Sequence, residues 1–233
     1  MIDRPATAAA PLLMINGNSR HAITERLHAH ARRRLGGDII AVTAHDSVPY
    51  VETPRDCVLS AAAIVRCLEQ DQLLMSSRPD VILLACFGEP GIDAVRAMSG
   101  LPVLGMLEAS VVAALQLGGS CSIITPGRHW PAMLAARLRQ LGLDHICRAI
   151  HSLDMDDLDP VVDRNQLVAR VDALLERHHE GAEHAWIIGG AALSGLCPAL
   201  TQRPGQRLID SFDAALGQVA AFRLTHVGYG CDA

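Results

Sequence analysis

The chain has 233 residues, half of them hydrophobic, and a net charge of −5 with histidines neutral. A chain this long can bury roughly 70% of its unfolded surface, so a real core is available; the acidic balance argues against a nucleic-acid partner, and no apolar run reaches the ~18 residues of a membrane span. All 20 basic residues are Arg, which excludes a lysine Schiff base to pyridoxal phosphate or to a carbonyl substrate, and a P-loop lysine.

Short apolar runs alternate with helix-period stretches along the whole chain. In order, the pattern predicts a strand at Leu12–Ile15, a helix over 19–35, a strand at Asp38–Thr43 and a helix over 55–76. A strand at Asp80–Cys86, a helix over 91–99 and a strand at Pro102–Met106 complete the first half. The second half reads as a helix over 108–118, a strand at Cys121–Thr125, a helix over 130–141 and a strand at Ile146–His151. A helix over 163–180, strands at His184–Gly189 and Arg207–Asp210, and a helix over 211–223 follow. Continuous apolar runs open at Asp80, Cys121 and Arg207, as in parallel strands buried on both faces, and the alternation predicts an α/β fold. Gly36–Gly37, Gly118–Gly119 and Gly181 fall where helices should end.

Eight strands divide four and four near residue 107. The segment Val81–Gly91 aligns without gaps on Ala185–Gly195, each running from four apolar residues into a small-residue turn. The alignment places Cys86 over Gly190, both at the carboxyl end of a strand, where open α/β sheets bind ligands.

Seven cysteines stand at 57, 67, 86, 121, 147, 197 and 231 without a C-x-x-C pair. Reduced thiols in a cytoplasm are the expectation, and residues 1–10 lack the charged and apolar regions of an export signal. Cys86 is the leading catalytic candidate. A thiol at a strand end beside a Gly-bearing turn can face a cleft, and backbone N–H groups there favour the thiolate; the plainer reading is a small core hydrophobe. Asn16-Gly-Asn-Ser19 follows the first strand. Asn18 or Ser19 can cap the next helix or help form an oxyanion site. Thr125 is its counterpart in the second half. Gly190, Ala191 and Ala192 form a small-residue turn that lets a ligand approach backbone N–H groups, without dinucleotide-binding spacing. His178, His179 and His184 read as helix-end histidines rather than metal ligands, and Asp154, Asp156, Asp157 and Asp159 as a solvated acidic loop lacking calcium-loop spacing.

At these residues the sequence resembles the aspartate/glutamate/hydantoin racemase superfamily, and its hydantoin racemase branch most closely. The segments that carry the resemblance are Ile15-Asn-Gly-Asn-Ser19, Tyr50-Val-Glu52, Ala85-Cys-Phe-Gly-Glu-Pro-Gly91, Pro102-Val-Leu-Gly-Met-Leu-Glu-Ala109, Ile123-Ile-Thr125, Arg128-His-Trp130 and Leu208-Ile-Asp210, in colinear order over about residues 12–224. It implies two pseudo-symmetric flavodoxin-like lobes, each with a mostly parallel four-stranded sheet, and an active site in the cleft between them. The expected division is 1–107 with 210–233 as the first lobe and 108–209 as the second. It implies no cofactor, a small-molecule substrate, and a homo-oligomer left open. Such enzymes place two cysteines on opposite faces of a substrate carbon; Cys86 matches the first, and Gly190 replaces the second. Cys197, seven residues on, is a poor substitute. The site then comprises Cys86 with substrate-binding Asn18, Ser19, Phe87, Gly88, Thr125, Gly190, Ala191 and Ala192; Tyr50, Trp130 and Leu193 read equally as pocket or core.

Four readings follow. One is a racemase or epimerase working next to a carbonyl, with water beside Gly190 replacing the missing thiol. Another is a one-thiol decarboxylase of a malonate-like substrate, as the arylmalonate decarboxylases of the same superfamily also work with one cysteine. The third is a non-catalytic ligand-binding relative. The last is covalent catalysis through Cys86, with His45 and His129 at plausible loop positions.

Overall fold

The structure is a computed structural model that describes residues 10–71, 74, 76–155, 163–178 and 184–225. Strands β1 (Leu12–Asn16), β2 (Ile39–Thr43), β3 (Val81–Leu84) and β4 (Val103–Gly105) pair in the order β2-β1-β3-β4. Strands β5 (Cys121–Thr125), β6 (Cys147–Ser152), β7 (His184–Ile188) and β8 (Gln206–Asp210) repeat that order as β6-β5-β7-β8. Every pairing is parallel. Helices α1 (His21–Leu35), α2 (Pro54–Gln70), α3 (Ile92–Ser99), α4 (Met106–Gln116), α5 (Trp130–Gln140), α6 (Arg164–Arg177) and α7 (Ser211–Thr225) connect the strands or follow the last of them.

Alternation along β1 shows how the layers form. Leu12 and Met14 face a core shared by the two sheets, together with Leu83, Ile123, Ile187 and Phe212. Leu13 and Ile15 face the other way, onto Ile64 and Leu68 of α2. On the second sheet Ile124, Trp186 and Ile188 pack outward against Val171 and Leu175 of α6. Strands with both faces covered must be apolar throughout, and β1, β3 and β5 are buried at every residue. Helix α4, which leaves the first sheet, packs on β5, β7 and β8; α7, which leaves the second, packs on β3 and β4. Arg223 of α7 grips Asp80 through two hydrogen bonds of 2.7 and 2.8 Å, just before β3.

Most element expectations meet the structure within a few residues. Helix α2 is shorter than 55–76. Its start is fixed by Thr53, whose hydroxyl accepts from Asp56 N–H while the Asp56 carboxylate accepts from Thr53 N–H, a reciprocal cap followed by Pro at the first turn. The helix ends at Asp71, whose φ/ψ of −101°/85° is no longer helical. Helix α1 starts at His21, and neither Asn18 nor Ser19 caps it; Arg20 holds that position without a side-chain bond. Gly181, His179, Cys231 and Asp156, Asp157 and Asp159 lie outside the described residues.

Candidate active site

The two sheets present equivalent strand ends to one cleft. Ala85 N–H donates to the Ile15 carbonyl at 2.8 Å, extending the β3–β1 ladder by one residue; Gly189 N–H donates to the Ile124 carbonyl at 2.8 Å and does the same for β7 and β5. The next residues are Cys86 and Gly190. The pseudo-symmetry therefore places the thiol of one lobe where the other lobe has bare backbone.

Between them lies a small cavity of about 60 Å³ lined by Asn18, Ile23, Tyr50, Val51, Cys86, Phe87, Thr125, Pro126, Trp130, Gly190, Ala191 and Ala192. Seven of the nine expected site residues meet there, joined by Tyr50 and Trp130, which read equally as pocket or core. Ser19 and Gly88 do not line it. Ser19 N–H is bound to the Val48 carbonyl at 3.0 Å, and Gly88 is covered by Trp130 so closely that a side chain at 88 would overlap the indole. Leu193 is core, fully buried with Trp186 and Ile188. Cys197 sits in a separate short turn, Cys197–Ala199, away from the cavity wall.

The Asn16–Asn18 loop is held by its own side chains. Asn16 Nδ2 donates to Asn18 Oδ1 at 3.1 Å and to Thr24 Oγ1 at 3.0 Å, and Asn18 Oδ1 also accepts Arg20 N–H at 3.0 Å. With Oδ1 occupied, the Asn18 amide nitrogen is left as a donor without a hydrogen bond among the described residues, on a side chain that lines the cavity. The Thr125 hydroxyl makes no hydrogen bond among the described residues. Gly190 opens the 3-10 turn Ala191–Leu193, so the N–H groups of Ala191 and Ala192 have no partner within it. Amide, hydroxyl and backbone donors therefore border the space beside the thiol, an arrangement that stabilises negative charge on an oxygen. Ile23, Tyr50, Val51 and Trp130 supply an apolar wall, and Arg20 stacks on Tyr50 with its guanidinium 4.4 Å from the ring centre.

Cys86 departs from expectation in its protonation. Gly88 N–H does point at the sulfur and favours the thiolate, but burial outweighs it, with Cys57 and Glu89 adding to the rise, and the thiol is pushed up to about 12. Only 7% of the residue is exposed. The resting group is a neutral thiol and a proton donor. Gly190 is not a simple deletion either. Its φ/ψ of 122°/144° lies in a region occupied almost entirely by glycine, although a Cβ built there would meet nothing nearer than Pro126 Cδ at 3.4 Å.

Two supports were not legible in the sequence. Glu89, at φ 52° and 3% exposed, turns back under the Cys86 loop. It accepts Glu108 N–H at 2.8 Å and Arg137 Nε at 3.3 Å; Arg137 belongs to α5 and also binds Glu108 at 2.8 Å and Asp93 at 3.1 Å. Burial holds the Glu89 carboxyl up at about 7 despite these partners. On the other side, Arg26 of α1 donates to the carbonyls of Ala191 at 2.6 Å and Ser194 at 3.2 Å, bracing the turn that borders the cavity. Both supports join residues far apart in the chain, so no local pattern announces them. Among the described residues no group of three His, Cys, Asp or Glu could hold a metal ion. His178 instead stacks with His151, ring centres 4.2 Å apart, beside Trp186. No described helix is long and apolar enough to cross a membrane.

The Asp/Glu/Hydantoin racemase family matches residues 12–219, a stretch that takes in both sheets. The hydantoin racemase of Rhizobium meliloti is 25% identical over 228 residues, covering 93% of this chain and 89% of that protein. The hydantoin racemase of Paenarthrobacter aurescens is 26% identical, covering 88% and 87%. Allantoin racemase from Klebsiella pneumoniae has the same architecture, with a TM-score of 0.82, 27% identity and coverage of 93% and 88%.

Proposed function

This chain is an enzyme of the Asp/Glu/hydantoin racemase family, and we propose that it moves a proton at the carbon next to a carbonyl of a hydantoin- or amino-acid-like substrate, with Cys86 as the acid/base on one face. The observation that carries the reading is Cys86 and Gly190 at equivalent strand ends, lining one cavity from opposite lobes. Removing the proton leaves an enolate. Its oxygen is met by Asn18, Thr125 and the N–H groups of Ala191 and Ala192; the Cys86 thiol returns a proton to carbon, and water in the open space beside Gly190 serves the opposite face. Phe87 closes the cavity against the second lobe.

A second reading draws on the neutral state of Cys86. A buried thiol near 12, with no thiol at 190, is an acid without a matching base. Decarboxylation of a malonate-like substrate makes the same enolate without a base, and one thiol then protonates one face.

Incubation in D₂O with single enantiomers of 5-substituted hydantoins and amino acids, and with malonates, separates the two. Exchange with inversion, lost in Cys86→Ala, supports the racemase. Loss of CO₂ with a single product enantiomer supports the decarboxylase. Turnover that survives in Cys86→Ala would overturn both.

A further inference from the structure

We infer that the lobe interface carries a second binding site, for a small oxyanion bearing two or more negative charges, on the far side of the Ala191–Leu193 turn from the Cys86 cavity. A cleft of about 600 Å³ opens there, within the range of ligand pockets. Helix α1 contributes Arg26, His30, Arg33 and Arg34, the start of α6 contributes Arg164, and α7 contributes Asp213.

The charges in this cleft do not cancel. Asp213 is taken up by Arg34, at 2.6 and 2.9 Å, and by His30 at 2.7 Å. Burial works against its charge, but Arg34 and His30 hold the carboxyl below its ordinary range. Among the described residues Arg26 bonds only neutral carbonyls, those of Ala191 and Ser194, and Arg164 bonds the Gly195 carbonyl at 2.9 Å. Arg33 makes no hydrogen bond or ion pair among the described residues. The neighbouring Asp210 carboxylate is engaged by the N–H groups of Gly195, Phe212 and Asp213. Four guanidiniums against two carboxylates leave two formal positive charges in excess before His30 is counted. On a chain whose net charge is −5, that excess is a local construction.

Helix capping explains part of the cluster and no more. Arg33 and Arg34 lie in the last turn of α1, where the dipole favours cations. Arg26 is two turns earlier, and Arg164 comes from the other lobe. Burial and repulsion from Arg164 pull the Arg26 pKa down, and the Asp210 carboxylate only partly offsets them, as expected where cations outnumber the anions beside them. An oxyanion bridging α1 and α6 would relieve that repulsion, accept the paired donors that guanidinium offers, and hold the lobes together. Because Arg26 also braces the turn at the active-site cavity, the two sites share a residue.

The test is titration of the full chain with inorganic phosphate and pyrophosphate, at ionic strength held constant with sodium chloride, followed by thermal melting and calorimetry. The expected result is saturable binding that raises Tm by roughly 5–10 °C at a hundredfold excess over Kd. Affinity should fall tenfold or more in Arg33→Ala and in Arg164→Ala, and Arg33→Lys should recover part of it. Arg33 is exposed and unpaired among the described residues, so its removal leaves the fold intact and the variant informative. A Tm rise no larger than chloride gives at equal ionic strength, or an affinity in both alanine variants equal to that of the native chain, would overturn the site.

Discussion

The ring of Phe87, just past the end of β3, lies against the bare backbone of Gly189, just past the end of β7, so closely that a single methyl at 189 would overlap it. The contact joins the two lobes directly beside the candidate acid/base. Gly189→Ala should therefore force the ring away and spread the cleft, destabilising the chain by about 1–3 kcal/mol as overpacked sites do and lowering kcat/KM by tenfold or more. Phe87→Leu, combined with Gly189→Ala, should recover part of both losses. Chemical denaturation and initial rates on the single and double variants measure the coupling; strictly additive effects would mean that the ring and residue 189 do not press on each other.

This contact also marks the limit of what the sequence carried. The strands and their parallel character were legible because parallel strands buried on both faces need continuous apolar runs, and Val81–Leu84 and Cys121–Thr125 have them; their order in the sheets was not. The equivalence of Cys86 and Gly190 was legible because the two halves share one pattern of apolar run and small-residue turn. What pattern does not carry is contact across the cleft. Nothing near Glu89 in the chain foretells Arg137, 48 residues on, and nothing near Ala191 foretells Arg26. The thiolate expected at Cys86 failed for a related reason. The N–H group that favours it is local and visible, whereas the desolvation that overrides it depends on the whole packed cleft.

Cys86 should alkylate slowly at neutral pH. With the thiol near 12, only about one molecule in 10⁵ is thiolate at pH 7, and the reactive fraction grows tenfold per pH unit. Iodoacetamide labelling of Cys86, followed by mass spectrometry from pH 7 to 9, should show that slope without a plateau. A plateau below pH 9 would show an activated thiolate instead. Cys86→Ser keeps the shape but not the acidity of the group, and should lower turnover by about 10²–10⁴, the usual worth of a positioned acid or base.

At Gly190 two magnitudes act on different quantities. A side chain at φ 122° costs about 1–3 kcal/mol of folding stability, whereas a positioned second thiol is worth about 10²–10⁴ in rate. The space for it exists, with Pro126 Cδ at ordinary contact distance. Gly190→Cys should therefore melt about 2–12 °C lower and still racemise at least tenfold faster. Gly190→Ala carries the same strain without the thiol, so a rate gain shared by both variants would point to loosening of the turn rather than to acid/base chemistry.

Glu89 gives the fold a pH dependence whose sign follows from its environment. Burial raises its carboxyl from 4.5 to about 7, with Arg137 and the Glu108 N–H opposing the shift. The native state therefore keeps a proton that the unfolded chain has released, and this group's contribution to stability falls as pH rises from 4.5 to 7. Integrated over that window, the difference is of order 3 kcal/mol. Glu89→Gln does not titrate. Whatever its offset at pH 4.5, its stability relative to the native sequence should improve steadily up to pH 7 and then level off. Urea unfolding of both proteins at half-unit steps measures the slope. A difference independent of pH would mean that Glu89 is already ionised at pH 4.5, with Arg137 rather than burial governing it, and the loop that carries Cys86 would then be held by a permanent ion pair.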